Sequence, residues 1–357
     1  MTLNRAELLQ ESMTLEPALD GLPAKLFVLK NAQGMRVTLM DIGAAWLSCE
    51  IPVGSEVRDV ILGVNNMPDH RIQEAYMGVT VGRFANRIAA GKFNIGGQKF
   101  QTTVNQAGNT HHGGSIGFDQ YRWTAEQKSD QLISFTMHSK DGDQGFPGNL
   151  QVTVNYRLSE SNELTIEYQA ETDKDCPVNL TNHAYFNLMG AESELDCLQH
   201  QLKIEAEQYL PVNETGVPLG HFNDVKHSSF DFNEMKTVGR DFLNCSEQKK
   251  TSGYDHSFLL KKEHQDGESI VAQCISPDQK VTMNVKTTKP AIQLYTGNFL
   301  SGTPNRLGGQ YKNHSALALE TQFLPDSPNH PEWDQPCPIL QAGEAYAHRT
   351  CYQFIVN

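Results

Sequence analysis

Polar and apolar residues alternate with a period of two along much of this chain. Positions 150–158 read Leu-Gln-Val-Thr-Val-Asn-Tyr-Arg-Leu, and after the turn formers of 159–162 the alternation resumes over 164–170. A repeat of two sends successive side chains to opposite faces of a strand, so this pair reads as an antiparallel hairpin with one buried and one wet face. Positions 281–286 repeat the pattern, and 93–100 reads as a tight hairpin turning at Gly96 and Gly97. Shorter strands are expected at 26–29, 37–40, 132–137 and 350–356, and helices only at 6–13, 67–76 and 233–243. No linker, low-complexity tract or internal repeat divides the chain. Many short strands with regular turn signals predict an all-β fold, a large antiparallel β-sandwich with few short helices, as one domain over 1–357.

Two apolar segments carry polar groups where an ordinary strand would not. Read as one strand, 179–188 puts Asn179, Thr181, His183 and Tyr185 on one face, with a titratable imidazole among hydrogen-bonding groups. The run 315–322 places Leu317 and Leu319 on one face and Ala316, Ala318 and Glu320 on the other. Two alanines beside a carboxylate leave space that larger side chains would fill. Taken singly, a buried His or Glu is as readily a satisfied core group. Together, an imidazole and a carboxylate on rigid strands facing a cavity can supply an acid and a base for proton transfer.

Acids outnumber bases, 42 to 29, for a formal charge of −13 over 357 residues. This balance argues against nucleic acid and anionic membranes as partners and favours a neutral or cationic small ligand. The seven cysteines are scattered, odd in number and never in a C-x-x-C pair, which points to free thiols in a cytoplasmic protein. The N-terminal residues 1–7 show no apolar leader core, and no apolar run reaches the length of a membrane span.

The irregular stretches 105–117, 141–148 and 326–338 are where a rigid sandwich would build a site. The first contains His111, His112, Gly113 and Gly114. Adjacent residues on a strand point in opposite directions, so one metal would rarely take both imidazoles. Either one contacts a ligand, with the glycines allowing a close backbone approach, or the loop is simply solvated. Arg83 and Arg87 sit in the otherwise apolar stretch 82–88, as a guanidinium fork on a ligand or as a structural ion pair. The 141–148 stretch lacks the spacing and late bidentate Glu of a calcium loop and reads as a turn. Asp255 either orients toward a ligand hydroxyl or caps a turn. Gln293 and Tyr295 share a face opposite Ile292 and Leu294, giving another polar wall. With no phosphate loop, nucleotide fingerprint or nucleophile elbow, this inventory suits the hydroxyls of a sugar.

In chain order the motifs are G-R-F-A-N-R-I at 82–88, N-x-x-H-G-G at 109–114, D-G-D-Q-G-F-P-G at 141–148 and N-L-T-N-H-x-Y-F-N-L at 179–188. They continue with Y-L-P-V-N-E-T-G-x-P at 209–218, G-Y-D-H at 253–256, Q-x-Y-T-G-N-F-L at 293–300 and L-E-T-Q-x-x-P-D-S at 319–327. Together they resemble the aldose 1-epimerase (galactose mutarotase) family, and its bacterial members in particular, over nearly the whole chain. The resemblance implies a mutarotase-type β-sandwich that interconverts the α- and β-anomers of free hexoses such as galactose and glucose, with no cofactor and no metal. It implies Glu320 as general base and His183 as general acid, His112 as a second histidine near the ring oxygen, and Asn86, Arg87, Asp255 and Gln293 as substrate-binding residues. His111 departs from the family, which commonly has Leu there, and Arg83 inherits no sugar contact. Three other readings remain for comparison: a hexose-phosphate mutarotase, a glycosidase with two carboxylates, and a sugar-binding sandwich without catalysis.

Overall fold

The hairpin expected at 150–170 forms as strands Leu150–Leu158 and Glu163–Thr172, and burial alternates along both. It sits inside an antiparallel sheet of nine strands, in the spatial order Thr124–Ser129, Leu132–Ser139, Leu150–Leu158, Glu163–Thr172, Ala345–Val356, Val281–Thr287, Ile270–Ile275, Gln201–Ile204 and Lys236–Thr237. The structure, a computed structural model, describes residues 4–357. The first three positions of the segment read for a leader lie outside the described residues.

A second sheet of six strands runs Tyr185–Phe186, Leu317–Gln322, Ala291–Tyr295, Asp255–Leu260, Ala206–Tyr209 and Asn223–Asp224. A third, of four, runs Leu26–Lys30, Arg36–Met40, Ala45–Val53 and Glu56–Asp59. One core joins them: Val152, Val154 and Ile166 of the first sheet pack with Leu317, Leu319 and Ile292 of the second and Val37 and Ile51 of the third. Trp46 fixes the layers to one another, 5.7 Å from the Tyr352 ring and 5.9 Å from the Phe186 ring, and the Tyr352 hydroxyl donates to Leu319 O. The six-stranded sheet therefore gives one face to the core. Its other face is free to build a site.

Several expectations need correction. Positions 67–76 give only the helix Met67–Ile72, and Tyr76 turns left-handed at φ 54°. Positions 233–243 form no α-helix. Lys236–Thr237 pairs at a sheet edge with Gln201 and Leu202, and Val238–Asp241 closes one 3₁₀ turn. The short helix Ser246–Lys250 and the strand Ala45–Val53 carried no readable signal, the strand because it is buried on both faces and so does not alternate. The helix at 6–13 appears as Arg5–Met13, with Asn4 and Glu7 forming a reciprocal cap. All seven cysteines are free thiols.

Arg83 is neither a ligand fork nor an ion pair. Its guanidinium donates to Pro147 O at 2.8 Å, Gly148 O at 3.0 Å, Ser139 O at 3.3 Å and Lys140 O at 3.2 Å, and to Ser139 Oγ at 2.6 Å. It fastens the 141–148 turn to the sandwich, which accounts for that motif without a ligand. Arg83→Ala would orphan several buried acceptors. It is expected to lower the stability by about 3 kcal/mol, read as an earlier urea midpoint at unchanged slope.

Candidate active site

The 179–188 segment is not one strand. Thr181 and Asn182 pair with Val81 and Thr80, whereas Tyr185 and Phe186 pair with Ala318 and Leu317. Asn182 holds the break, donating to Gly78 O at 2.7 Å and to the Tyr156 hydroxyl at 3.2 Å. His183 sits where the chain passes from one partner to the next. Its own backbone is pinned on both sides, N–H to Val79 O and carbonyl to Gly78 N. Its side chain thereby faces the very strand its neighbours join, with Nε2 3.5 Å from Glu320 Oε1. Asn179, expected on the same wall, instead ties the backbone of Ala85 and Phe323 together.

Glu320 lies mid-strand, opposite Gln293. Ala318 lies opposite both Tyr185 and Tyr295, whose rings meet 6.0 Å apart, so the small alanine makes room for two phenols. Asp255, on the next strand out, completes this wall. Gln293 donates from Nε2 to Asp255 Oδ1 at 2.7 Å. It stands behind Asp255, not on the cavity surface, and so holds that carboxylate in place.

The opposite wall comes from Asn86, Arg87 and the paired histidines. Arg87 pairs with His111 in a two-residue ladder. Arg87 Nε donates to Gln106 Oε1 at 3.0 Å, and its N–H donates to Asn86 Oδ1 at 2.9 Å. The guanidinium also crowds Gly216, where an added Cβ would come within 2.6 Å of Cζ. His111 and His112 do not point apart. His112 is left-handed at φ 50°, which breaks the alternation and brings the two rings to 3.7 Å between centroids. The Asn86 N–H donates to His112 Nδ1 at 3.2 Å. A neutral His112 must then carry its hydrogen on Nε2 and present a donor. Gly113 serves a chain crossing, since a Cβ there would lie 2.0 Å from Gly82 O.

These walls enclose a cavity of about 660 Å³ that Asn86, Arg87, His112, His183, Asp255 and Glu320 all line. Among the described residues Arg87 is the one lining Arg or Lys, against the carboxyl groups of Glu74, Asp255 and Glu320. The rest of the rim comes from residues 72–76 and 299–304 with Gln106 and Gln310, and no residue of 326–338 lines it. Tyr76, missed from sequence, packs 4.6 Å from His112 and 6.0 Å from His183. Nothing in its local sequence marks it, because its place depends on a left-handed turn.

Burial dominates the electrostatics. It pushes the Glu320 carboxyl up to about 8, with Asp255 adding to the rise, and pushes His183 down to about 4. Across the 3.5 Å contact burial thus favours a protonated Glu320 beside a neutral His183 over an ion pair. His111 and His112 are held well below the ordinary imidazole value, first by burial and then by neighbouring positive charge. Glu320 Oε2 and His183 Nδ1 are buried without a partner among the described residues, a cost that a ligand hydroxyl would remove. His112, His183 and Glu320 each bring a donor atom within 4.8 Å of the others. The set suits a metal poorly, because both nitrogens of His112 are committed: Nδ1 accepts an amide hydrogen and Nε2 carries its own. What the arrangement can do is give one proton and take another at neighbouring oxygens of a polyhydroxylated ligand.

The profile of the family described as aldose 1-epimerase matches residues 25–353. The chain is 46% identical over 351 residues to the aldose 1-epimerase of Escherichia coli (strain K12), covering 98% of this chain and 100% of that protein. It is 36% identical over 324 residues to the galactose mutarotase of Homo sapiens, covering 90% and 92%. Among solved structures, the aldose epimerase homologue from C. elegans superposes with a TM-score of 0.84 at 28% identity, covering 93% of this chain and 99% of that one. The galactose 1-epimerase from Lactobacillus acidophilus superposes with a TM-score of 0.81 at 28% identity, covering 95% and 96%. With a sandwich of the same shape, a profile match over residues 25–353 and a relative 46% identical over 98% of its length, the chain belongs to the aldose 1-epimerase family.

Proposed function

We propose that this protein is an aldose 1-epimerase that interconverts the α- and β-anomers of free hexoses such as galactose and glucose. The observation that carries the reading is the buried His183–Glu320 pair at 3.5 Å, set in a cavity of hydroxyl-binding side chains. Opening a cyclic hemiacetal removes a proton from the C1 hydroxyl and adds one to the ring oxygen as the C1–O5 bond breaks. Burial leaves the resting proton on Glu320, so the reactive arrangement is the one in which that proton has passed to His183; Glu320 then takes the first proton and His183 gives the second, and the pair holds one proton before and after. Rotation about C1–C2 turns the other aldehyde face to the C5 hydroxyl. Closure then runs with the roles reversed, His183 receiving from O5 and Glu320 returning a proton to O1. His112 Nε2–H donates to an oxygen near the reacting centre, and Asn86, Arg87 and Asp255 hold the remaining hydroxyls. Gln293 acts through Asp255 as a positioning residue.

A phosphorylated hexose is disfavoured, because the single Arg87 faces three carboxyl groups. Nucleic acid is disfavoured by the net charge of −13. Among the described residues no helix is long and apolar enough to cross a membrane. The scattered free thiols support a cytoplasmic setting. A binding module would need the hydroxyl contacts but no proton-sharing pair. Polarimetry of freshly dissolved α-D-galactose separates these readings: faster approach to the same final rotation is expected, and an unchanged rate would leave only the module.

The pH profile follows from the shared proton. Above about pH 8 the pair loses it and no acid remains, and below about pH 4 both groups are protonated and no base remains. After subtraction of the buffer reaction, kcat/KM is expected to be bell-shaped, with limbs near those values. A single limb at the ordinary imidazole pKa would contradict this account.

A further inference from the structure

Two cavities stand back to back in this protein. Behind the catalytic one lies another of about 750 Å³, and Tyr76, Gln106 and His111 line both. The rear chamber has an apolar floor of Ile42, Met67 and Val79. Above it stand His70, Asp119 and Gln120. His70 is 8% exposed, and its hydrogen bonding runs through its backbone, N–H to Asn66 O. Burial alone sets its ring, pushed down to about 4, so neither a charge nor a hydrogen bond from the described residues supports it. The His70 ring nitrogens are thus left to water or a ligand in the chamber that the residue lines.

We propose that the rear chamber binds a second, uncharged polyhydroxylated ring, an aldose, which presses on the catalytic site through the Tyr76–His111 partition. The floor offers a surface for a sugar's C–H face, and the imidazoles, carboxyl and carboxamides offer partners for its hydroxyls. An anion is disfavoured, because Arg71 is bound to Pro17 O and Glu74 and Asp119 share the chamber. The partition is in direct contact with the chemistry. The His111 ring lies 3.7 Å from that of His112, and the Tyr76 ring lies 4.6 Å from it. An occupant behind these rings sets where the His112 donor points.

Equilibrium dialysis with radiolabelled D-galactose counts the sugars bound per chain and does not depend on turnover. Leu19→Trp and Gln120→Trp fill the rear chamber from residues that line it and not the catalytic cavity. The expected result is two sugars per wild-type chain and one in each variant. The wild-type rate should depart from a single hyperbola in galactose concentration, and both variants should restore it. One sugar per wild-type chain would overturn this proposal and leave the epimerase reading intact. Two sugars in both variants would place the second site elsewhere and equally overturn it. No sugar bound at all would sink both readings.

Discussion

Glu320→Gln is expected to slow mutarotation of α-D-galactose by about a hundredfold or more, the scale of losing a positioned base. The amide has nearly the shape of the carboxyl, and Oε2 has no protein partner to lose, so the fold should survive. The loss should fall on kcat more than on KM. Stability gives an independent check. Folding raises the Glu320 pKa from its ordinary 4.5 to about 8, so the wild-type carboxyl is tolerated while protonated and becomes a liability as pH climbs between those values. The glutamine variant should therefore melt higher than the wild type above pH 8 and equally below pH 4.5. Near-normal turnover in a folded Glu320→Gln protein would remove the carboxyl from the mechanism.

His183→Ala should cost a similar factor, about a hundredfold or more, by removing the acid. The residual activities of the two variants should then respond to pH with opposite sign. With the imidazole gone, the remaining group must be a carboxylate to work, so activity rises as pH climbs through the Glu320 titration. With the carboxyl gone, the remaining imidazole must be protonated, so activity falls as pH climbs through the His183 titration. Polarimetry of both variants across pH checks the assignment. Parallel profiles would show that the two residues do not divide the proton work in this way.

The half-buried strands were legible because water on one face forces alternation, as at 150–158. Glu320 was legible for a related reason: a carboxylate in a run of Ala and Leu has no place in a plain core. The buried strand Ala45–Val53 has no wet face and so carries no period to read. His183 was picked out as a residue, but its setting was not. A single strand was expected, whereas side-chain bonds from Asn182 take over from the ladder and let the chain change partners. The strand rule fails at His111–His112 because a positive φ at the non-glycine His112 overrides it. Arg83 showed its charge in the sequence but not its partners, which are backbone carbonyls supplied by a turn more than fifty residues away.

Glu320 is locked mid-ladder and His183 is pinned by its own backbone, so the backbone of neither proposed proton carrier has slack. All the movement of the reaction then falls to the sugar, which must swing its aldehyde end around inside the protein. The 660 Å³ chamber, roomier than one hexose, is the clearance for that swing. It follows that the best blockers of this protein need not imitate either anomer. A molecule that wedges the opened chain in mid-turn would stall the cycle without touching the groups that carry protons.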